Sequence, residues 1–367
     1  MGALHWTETG LGAAVLTVDL DAIVQNYRLL AARAPGASCA AVVKADAYGL
    51  GAARVAPALA RAGCRRFFVA LPAEGIALRR VLGPAAEILV LHGLPPGGAP
   101  EFAAHGLVPV LNSVAQAGEC AAFGRARGGA LPAALQFDTG MARLGVTPAD
   151  SAALRTLPGL DVRLVLSHLA CADQPEHPAN AAQRDLFASL RRDWPQTEAS
   201  LAASSGIFLG ADYHFDWVRP GAALYGIAPA AGPNPMRPVV RLQAPVIQTR
   251  EVPSGTGVGY GHSWRPLGTA RLATLGIGYA DGLPRSLSNA GAAWLDGKRL
   301  PVAGRVSMDS LIVDVSAVPD AALAPGTLVD LIGPDCDVDA LAAQAGTVGY
   351  ELLTRLGARL ARRYVGG

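Results

Sequence analysis

The chain has 367 residues, of which 51% are hydrophobic and 16% are charged, and its formal net charge at pH 7 is +2. This length exceeds the usual size of one hydrophobic core, so we expect about two domains. The charge is nearly balanced and no run of Lys or Arg is interleaved with aromatic residues, which argues against nucleic acids and membrane surfaces as partners and favours small molecules.

Cysteine and histidine spacing limits the chemistry further. The chain has five cysteines: Cys39, Cys64, Cys120, Cys171 and Cys336. They form no CxxC pair and are odd in number, unlike a disulfide framework or a zinc ribbon, so a reducing cytoplasm is favoured. The histidines have neither HxH nor HExxH spacing, and we expect no metal site. The apolar stretch 11–18 is short and interrupted by Gly12 and Thr17, which predicts neither a signal peptide nor a transmembrane helix.

Short apolar runs recur between about residues 40 and 225, each followed by a turn and a helix-forming stretch, as βα units require. The eight runs are 40–44, 67–70, 88–92, 107–111, 133–138, 163–168, 199–204 and 217–225. A helix near residues 21–34 precedes them. Strands alternating with helices over this span predict an α/β fold with an N-terminal (β/α)8 TIM barrel, more than an open doubly wound sheet.

Polar side chains collect where these predicted strands end. They are Lys44, Asp138, His168, Ser204 and Arg219. One polar residue after a strand is usually only a turn former, but five of eight strand ends carry residue types that can act in catalysis. Active sites of such barrels lie at the carboxyl ends of the strands, so the pattern favours an enzyme.

Extended segments replace the βα pattern after the proline-rich stretch 229–238. They are 239–252, 271–279, 299–306, 311–315 and 327–332. Helical periodicity returns only at 338–345 and after Tyr350. We therefore predict a barrel domain at residues 1–236 and a second, mainly β domain at residues 237–367.

Lys44 ends an apolar, β-branched run and is followed by Tyr48 and Gly49. Burial at a strand end lowers the pKa of a lysine and makes its neutral amine available for Schiff-base chemistry, although a lysine extending into solvent is the simpler alternative. The glycine-containing segments 204–206 and 220–222 follow the last two runs, where barrels commonly bind phosphate. A lysine amine across the barrel mouth from a phosphate site describes a pyridoxal phosphate pocket.

The segment 41–49, Ala-Val-Val-Lys-Ala-Asp-Ala-Tyr-Gly, resembles the cofactor-lysine signature of the alanine racemases, a family of pyridoxal phosphate enzymes with a barrel and a β domain. Six further blocks follow in the family's order, at 138–145, 167–168, 218–221, 278–282, 304–309 and 350–351. The resemblance implies a homodimer with shared active sites that interconverts L-alanine and D-alanine and supplies D-alanine for peptidoglycan.

The resemblance also implies roles for individual residues. Lys44 would carry pyridoxal 5'-phosphate and exchange the substrate's Cα proton on one face, with Tyr279 of the partner subunit as the second base. Substrate-carboxylate contacts are implied for Arg143 and Met308. Cofactor contacts are implied for Tyr48, Arg143, His168, Ser205, Arg219, Gly221, Ala222 and Tyr350.

Two of these implied roles have direct physical consequences. Arg219 would face the pyridine nitrogen, and a guanidinium, which is always charged, cannot accept a proton from it. An unperturbed tyrosine, with a pKa of about 10, is a poor base at neutral pH. To act as a base Tyr279 would need a cationic neighbourhood or a hydrogen-bond relay, which His168 beside Arg219 would provide.

One departure from the family's pattern concerns the support of Arg143. Members of the family often have a carbamylated lysine two residues before the aspartate at the start of the 138–145 block, where this chain has Gln136. The negative partner of Arg143 is then missing. We predict that Gln136, alone or with a bound anion such as chloride, orients the arginine instead.

Three alternatives remain for the function. The nearest is a racemase of broader amino-acid specificity, for example toward serine. A decarboxylase of the same two-domain class is disfavoured because the sequence lacks that group's glycine triplet and cysteine-aspartate block. A non-catalytic pyridoxal phosphate carrier resembles the barrel alone, and the second domain with Tyr279 and Met308 argues against it.

Overall fold

The computed structural model describes residues 12–367. Contacts divide the chain into two units: Asp21–Arg237 form one, and the described residues up to Leu20 join Pro238–Gly367 in the other. This differs from the predicted division, which gave every residue up to 236 to the barrel. Strand β1 (Val15–Asp19) pairs with segments beginning near residues 240 and 361. Because these partners are so distant, the sequence near β1 does not indicate that it belongs to the second unit. Residue 11 of the apolar stretch considered above lies outside the described residues.

The unit Asp21–Arg237 is a parallel barrel with its strands in the order β2-β10-β9-β8-β7-β6-β5-β4-β3. The strands are β2 (Ser38–Cys39), β3 (Ala41–Val42), β4 (Arg66–Val69), β5 (Glu87–Val90), β6 (Leu107–Leu111), β7 (Leu131–Gln136), β8 (Leu160–Leu166), β9 (Glu198–Ala203) and β10 (Trp217–Arg219). The predicted first strand is split in two, and the backbone amides of residues 38, 40 and 42 donate to the carbonyls of residues 216, 218 and 220. These bonds close the sheet, so the predicted (β/α)8 class is confirmed.

One helix precedes the barrel strands and others follow most of them. They are α1 (Leu20–Arg33), α2 (Ala52–Arg61), α3 (Pro72–Leu82), α4 (Ala99–His105), α5 (Val114–Arg127), α6 (Pro148–Leu154) and α7 (Pro178–Arg191). Short 3-10 helices at Ser205–Leu209 and Ala222–Tyr225 follow β9 and β10 instead. Local caps define several helix starts; for example, the Ser113 hydroxyl accepts a hydrogen bond from the Gln116 amide at the start of α5.

The inside of the barrel is filled by side chains from the strands. The buried cluster comprises Ala40, Val42, Phe68, Leu89, Val110, Ala134, Leu164, Leu166 and Trp217. Alternate residues of each strand face inward, which is why small and large apolar residues stack in layers there. Polar groups that act on a ligand must therefore collect at the end of the barrel.

The second unit is mainly β, as predicted. Its elements besides β1 are β11 (Val240–Val252), β12 (Ala270–Leu275), β13 (Ala292–Leu295), β14 (Lys298–Pro301), β15 (Leu311–Asp314), β16 (Leu328–Ile332), α8 (Val338–Gln344), α9 (Gly349–Arg355) and β17 (Ala361–Val365). The sheet runs β14-β13-β16-β11-β1-β17, and β12 pairs with both β11 and β15. The predicted strand 271–279 ends already at Leu275, because the chain turns at the glycine-containing segment that follows. Between residues 12 and 367, no helix is both long and apolar enough to cross a membrane.

Candidate active site

Lys44 follows β3 and begins a turn with an unusual backbone. Residues 45–48 all have positive φ angles, between 52° and 56°. This left-handed conformation costs roughly 1–2 kcal/mol for each L-residue, so the surrounding structure must hold it. Within the turn, the Gly49 amide donates to the carbonyl of Ala45 at 2.7 Å. Strain of this kind is typical of functional sites.

The side chains of two carboxylates stabilise the turn by accepting backbone hydrogen bonds. The Asp46 side chain accepts a hydrogen bond from the Ala52 amide at 2.7 Å. The Glu74 side chain, which lies on α3, accepts one from the Ala45 amide at 2.6 Å. The turn that follows Lys44 is therefore connected to both α2 and α3.

The environment of Lys44 favours its neutral form. Burial lowers the pKa of this amine below its ordinary value, the positive charge of Arg143 lowers it further, and Glu74 acts in the opposite direction. A lowered pKa increases the fraction of lysine that can act as a nucleophile or a base near neutral pH. This is the direction expected for a lysine at the end of a buried strand.

Arg219 ends β10 and is buried. Its guanidinium donates to the Ser200 hydroxyl and to the carbonyls of Ser167 and Leu201, the last two at 2.6 and 3.3 Å. Burial lowers the pKa of Arg219 to about 10, so the group stays charged at neutral pH. Arg219 is thus a fixed cation held by two groups of β9 and by the carbonyl that follows β8.

His168 follows β8 and remains neutral. Burial and the positive charges of Arg219, Arg143 and Lys44 lower its pKa from 6.5 to about 3. Lys44 and His168 follow β3 and β8, Arg219 ends β10, and Arg143 lies in the loop after β7, so all four belong to the carboxyl end of the barrel. The positive charge there comes from the arginines, while His168 offers a neutral hydrogen-bonding group.

The ends of β9 and β10 are joined through Ser204. Its hydroxyl accepts hydrogen bonds from the amides of Gly221 and Ala223 at 3.0 and 3.1 Å. Gly221 lies so close to the turn after Lys44 that an added Cβ atom would stand 2.4 Å from the Tyr48 hydroxyl. The Gly221 backbone, the Tyr48 hydroxyl and the first amide of the 3-10 helix at Ala222 thus outline a compact cradle, in which the hydroxyl and that amide suit a phosphate.

A methyl group at Gly221 would fill this cradle. We expect Gly221→Ala to weaken pyridoxal phosphate binding about tenfold or more, because overpacking of this kind displaces Tyr48. Titration of the apoprotein with the cofactor, followed by absorbance, measures the change. Gly118→Ala is the matched control, since a Cβ there meets nothing within 4 Å. Wild-type affinity in Gly221→Ala would contradict this description of the cradle.

Asp138 organises the loop that carries Arg143. One of its oxygens accepts hydrogen bonds from the amides of Gly140, Met141 and Ala142 at 2.9, 3.0 and 3.1 Å. Burial acts to raise the pKa of Asp138, but these bonds outweigh it and hold the pKa below its ordinary value. The Asp138 carboxylate therefore stabilises the conformation of this loop.

Gln136 ends β7 and is buried. Its side-chain amide donates to the carbonyl of Leu144 at 3.2 Å, next to Arg143 in the chain. The contact fixes the backbone beside the arginine. The role predicted for Gln136 in orienting Arg143, and the bound anion, stay predictions.

In the second unit, Tyr279 and Met308 lie side by side. The Tyr279 amide donates to the carbonyl of Ser307 at 3.0 Å, and the Ala280 amide donates to that of Met308 at 2.9 Å. Gly278 allows this approach, because a Cβ at that position would stand 2.3 Å from the Met308 carbonyl oxygen. Tyr279 is 43% and Met308 52% exposed, so both side chains are accessible on this unit.

A buried carboxylate stabilises the turn at Tyr279. Asp281 accepts a hydrogen bond from the Gly278 amide at 2.8 Å and pairs with Arg359 at 3.0 Å, and Arg359 also pairs with Asp309 at 2.6 Å. Tyr350, for which a phosphate contact is expected, lies in α9 with its side chain exposed. Its role stays a prediction.

Comparisons with known proteins cover nearly the whole chain. The family profile "Alanine racemase, N-terminal domain" matches residues 18–229, and "Alanine racemase, C-terminal domain" matches residues 239–364. The chain belongs to the alanine racemase family. It is 56% identical to "Alanine racemase, catabolic" of Mesorhizobium japonicum over 96% of this chain and 94% of that protein. It is 52% identical to "Alanine racemase" of Rhodospirillum rubrum, covering 96% of each.

Solved racemase structures share the fold. The alanine racemase of Bartonella henselae, whose crystal structure holds covalently bound pyridoxal phosphate, superposes with a TM-score of 0.92 at 40% identity. The match covers 96% of this chain and 99% of that one. The racemase family depends on pyridoxal phosphate, as the residue pattern around Lys44 predicts.

Two supporting residues of this racemase-family barrel were missed in the sequence. Glu74 had a readable signal, since it is the third residue of α3 and a carboxylate there often caps the helix start. Gln183 had none. Its buried amide donates to the carbonyl of His168 at 3.1 Å and to the Thr139 hydroxyl at 3.3 Å, and both partners are distant in the chain.

Proposed function

We propose that the chain interconverts L-alanine and D-alanine, with pyridoxal phosphate bound at the carboxyl end of the barrel. The observation that carries this proposal is the convergence of Lys44, Arg143 and Arg219 on the neutral His168, in a chain of the alanine racemase family. The cofactor, when bound, withdraws electrons from the substrate's Cα and acidifies its proton. Inverting the centre then needs acid–base groups on both faces of that carbon.

Lys44 is the proposed group on one face and also the point of cofactor attachment. The chain contains two lysines, Lys44 and Lys298, and Lys298 is exposed on β14 of the other unit. The lowered pKa of Lys44 provides the neutral amine that both roles require. Arg219 would bind the ring nitrogen through a cation that cannot take up its proton.

The remaining cofactor and substrate contacts are proposed on the same basis. The phosphate-binding groups would be Tyr48, Ser205, Gly221, Ala222 and Tyr350. Arg143 would bind the cofactor's phenolic oxygen and the substrate carboxylate. The first amides of the 3-10 helices beginning at Ser205 and Ala222 have no acceptor within their own helix, which suits them to an anion.

The second acid–base group is proposed to come from another copy of the chain. Tyr279 of the partner subunit would act on the opposite face of the substrate, and Met308 of the partner subunit would bind the substrate carboxylate. The exposure of both side chains, noted above, supports a role in an interface. The functional unit would be a homodimer with two shared sites.

A racemisation assay of the purified holoenzyme with a panel of amino acids tests this function. We expect alanine to have the highest kcat/KM, because the family's matched blocks surround Lys44 and Tyr279. A higher value for serine would instead favour a racemase of broader specificity. Retention of pyridoxal phosphate without racemisation of any amino acid would identify a carrier and contradict the proposal.

The metabolic role is a separate question, because enantiomers have equal free energy in solution and the enzyme cannot impose a direction. We propose a cytoplasmic supply of D-alanine for peptidoglycan, and five free cysteines suit that compartment. The name of the Mesorhizobium relative, "Alanine racemase, catabolic", favours a second role, in which alanine is degraded. Gene disruption separates them: a growth requirement for D-alanine supports the first, and growth loss only on alanine as carbon source supports the second.

A further inference from the structure

The Glu74 carboxylate connects two segments of the barrel unit. One oxygen accepts a hydrogen bond from the Ala45 amide at 2.6 Å. The other accepts from the amides of Ala70 and Leu71 at 2.8 and 3.0 Å. Charge-assisted bonds of this kind are stronger than those between neutral groups. The residue directly after Lys44 is thereby tied to the loop between β4 and α3.

The packing around the turn makes this connection important. A cavity of about 250 Å³ separates the turn from α3, and its lining includes Val43, Asp46, Glu74 and Leu78. Close packing, which usually fixes a strained backbone, is reduced on this side. Ala45 and Asp46, the exposed residues of the left-handed turn, therefore depend on hydrogen bonds for their conformation.

We propose that Glu74 is a positioning residue for Lys44: its carboxylate holds the left-handed turn so that the Lys44 amine reaches the region of His168 and Arg143. This inference rests on the proposed function of Lys44 in cofactor binding. The role proposed for Glu74 does not involve contact with substrate or cofactor.

The charge of Glu74 has a second effect on Lys44. Burial and Arg143 lower the pKa of the lysine, and Glu74 raises it. His168 also interacts electrostatically with Lys44, and its imidazole stays neutral. Removing the carboxylate charge should therefore lower the pKa of Lys44 further and increase the neutral amine at a given pH.

Two substitutions separate the bridge from the charge. Glu74→Gln removes the charge and leaves one acceptor oxygen. Because both oxygens of Glu74 accept hydrogen bonds, the variant cannot make all of them. Glu74→Asp keeps the charge and can still cap α3, but its shorter side chain cannot bridge to Ala45. Glu119→Gln is the matched control, because Glu119 lies on α5 and accepts a bond from the Gly97 amide through one oxygen, which an amide side chain also provides.

The first measurement is hydrogen–deuterium exchange of the apoprotein over residues 45–51. We expect exchange to be about tenfold faster or more in both Glu74 variants and unchanged in Glu119→Gln, since the lost bond is charge-assisted. This readout does not depend on cofactor or activity. Unchanged exchange in both variants would overturn the inference even if the proposed function holds.

The second measurement is the rate of pyridoxal phosphate attachment to the apoprotein as a function of pH. Both Glu74 variants should attach the cofactor about tenfold more slowly, and the midpoint of the profile should move to lower pH in Glu74→Gln only. Wild-type attachment in Glu74→Asp would show that charge alone matters and would overturn the bridging role. Failure of the wild-type protein to attach the cofactor would refute the proposed function, while the exchange result would still stand.

Discussion

Lys44→Ala is expected to abolish covalent attachment of pyridoxal phosphate and to reduce alanine racemisation by at least about ten-thousand-fold, because it removes both the attaching amine and one acid–base group. The visible absorbance band of the loaded enzyme should disappear. Free cofactor in the pocket would absorb differently from cofactor bound to an amine. Absorbance spectra after loading, together with the rate of change in optical rotation of L-alanine, measure both effects.

The chain provides a matched control for this substitution. Lys298, the other of its two lysines, lies in β14 and donates to the carbonyl of Ala317 at 3.3 Å. Lys298→Ala should retain both the absorbance band and the activity. Reduction of the loaded wild-type protein, followed by peptide mass analysis, should find the pyridoxyl group on Lys44. Persistence of the band in Lys44→Ala would refute the assignment of the attaching lysine.

The barrel was predictable because each βα unit carries its own local signal. An apolar run, a turn and a helix-forming stretch recur with little dependence on distant residues, and barrel geometry then brings Lys44, His168 and Arg219 to one end. The second unit was less predictable. Strand β1 pairs with β11 and β17, more than 200 residues away, and no local pattern indicates such partners.

The conformation after Lys44 could not be predicted either. Residues 45–48 are Ala-Asp-Ala-Tyr, which have no intrinsic preference for a left-handed turn. Tertiary contacts support their positive φ angles, among them the bond from the Ala45 amide to Glu74. The roles expected for Tyr279, Met308 and Tyr350 rest on family resemblance alone, since exposed residues of a β domain carry no local signal of an active site.

The electrostatics of the barrel end agree with an anionic ligand. Burial, together with the charges of Arg219 and Arg143 and the effect of Lys44, keeps His168 neutral, so the arginines give the region positive charge without a titrating histidine. A phosphate and a substrate carboxylate would both lower the free energy of this arrangement.

Tyr279→Phe tests the second base with minimal change in packing. We expect racemisation to fall by roughly a hundred- to ten-thousand-fold, the usual effect of losing one acid–base group. Exchange of the Cα proton with deuterated solvent should be retained for one alanine enantiomer and lost for the other, as NMR would detect. Tyr364→Phe, which removes a hydroxyl from strand β17 of the same unit, should have little effect. Equal loss of exchange for both enantiomers would contradict a two-base mechanism.

Mixing two inactive variants then tests whether Tyr279 comes from the partner subunit. In a heterodimer of Lys44→Ala and Tyr279→Phe protomers, one shared site would carry both substitutions and the other would be wild type. Random pairing makes half of the dimers heterodimers with one active site of two, so about a quarter of wild-type activity should return. If each site drew both residues from one chain, every site would carry one substitution and activity would stay near zero. Absence of recovery in isolated heterodimers would therefore exclude the shared site.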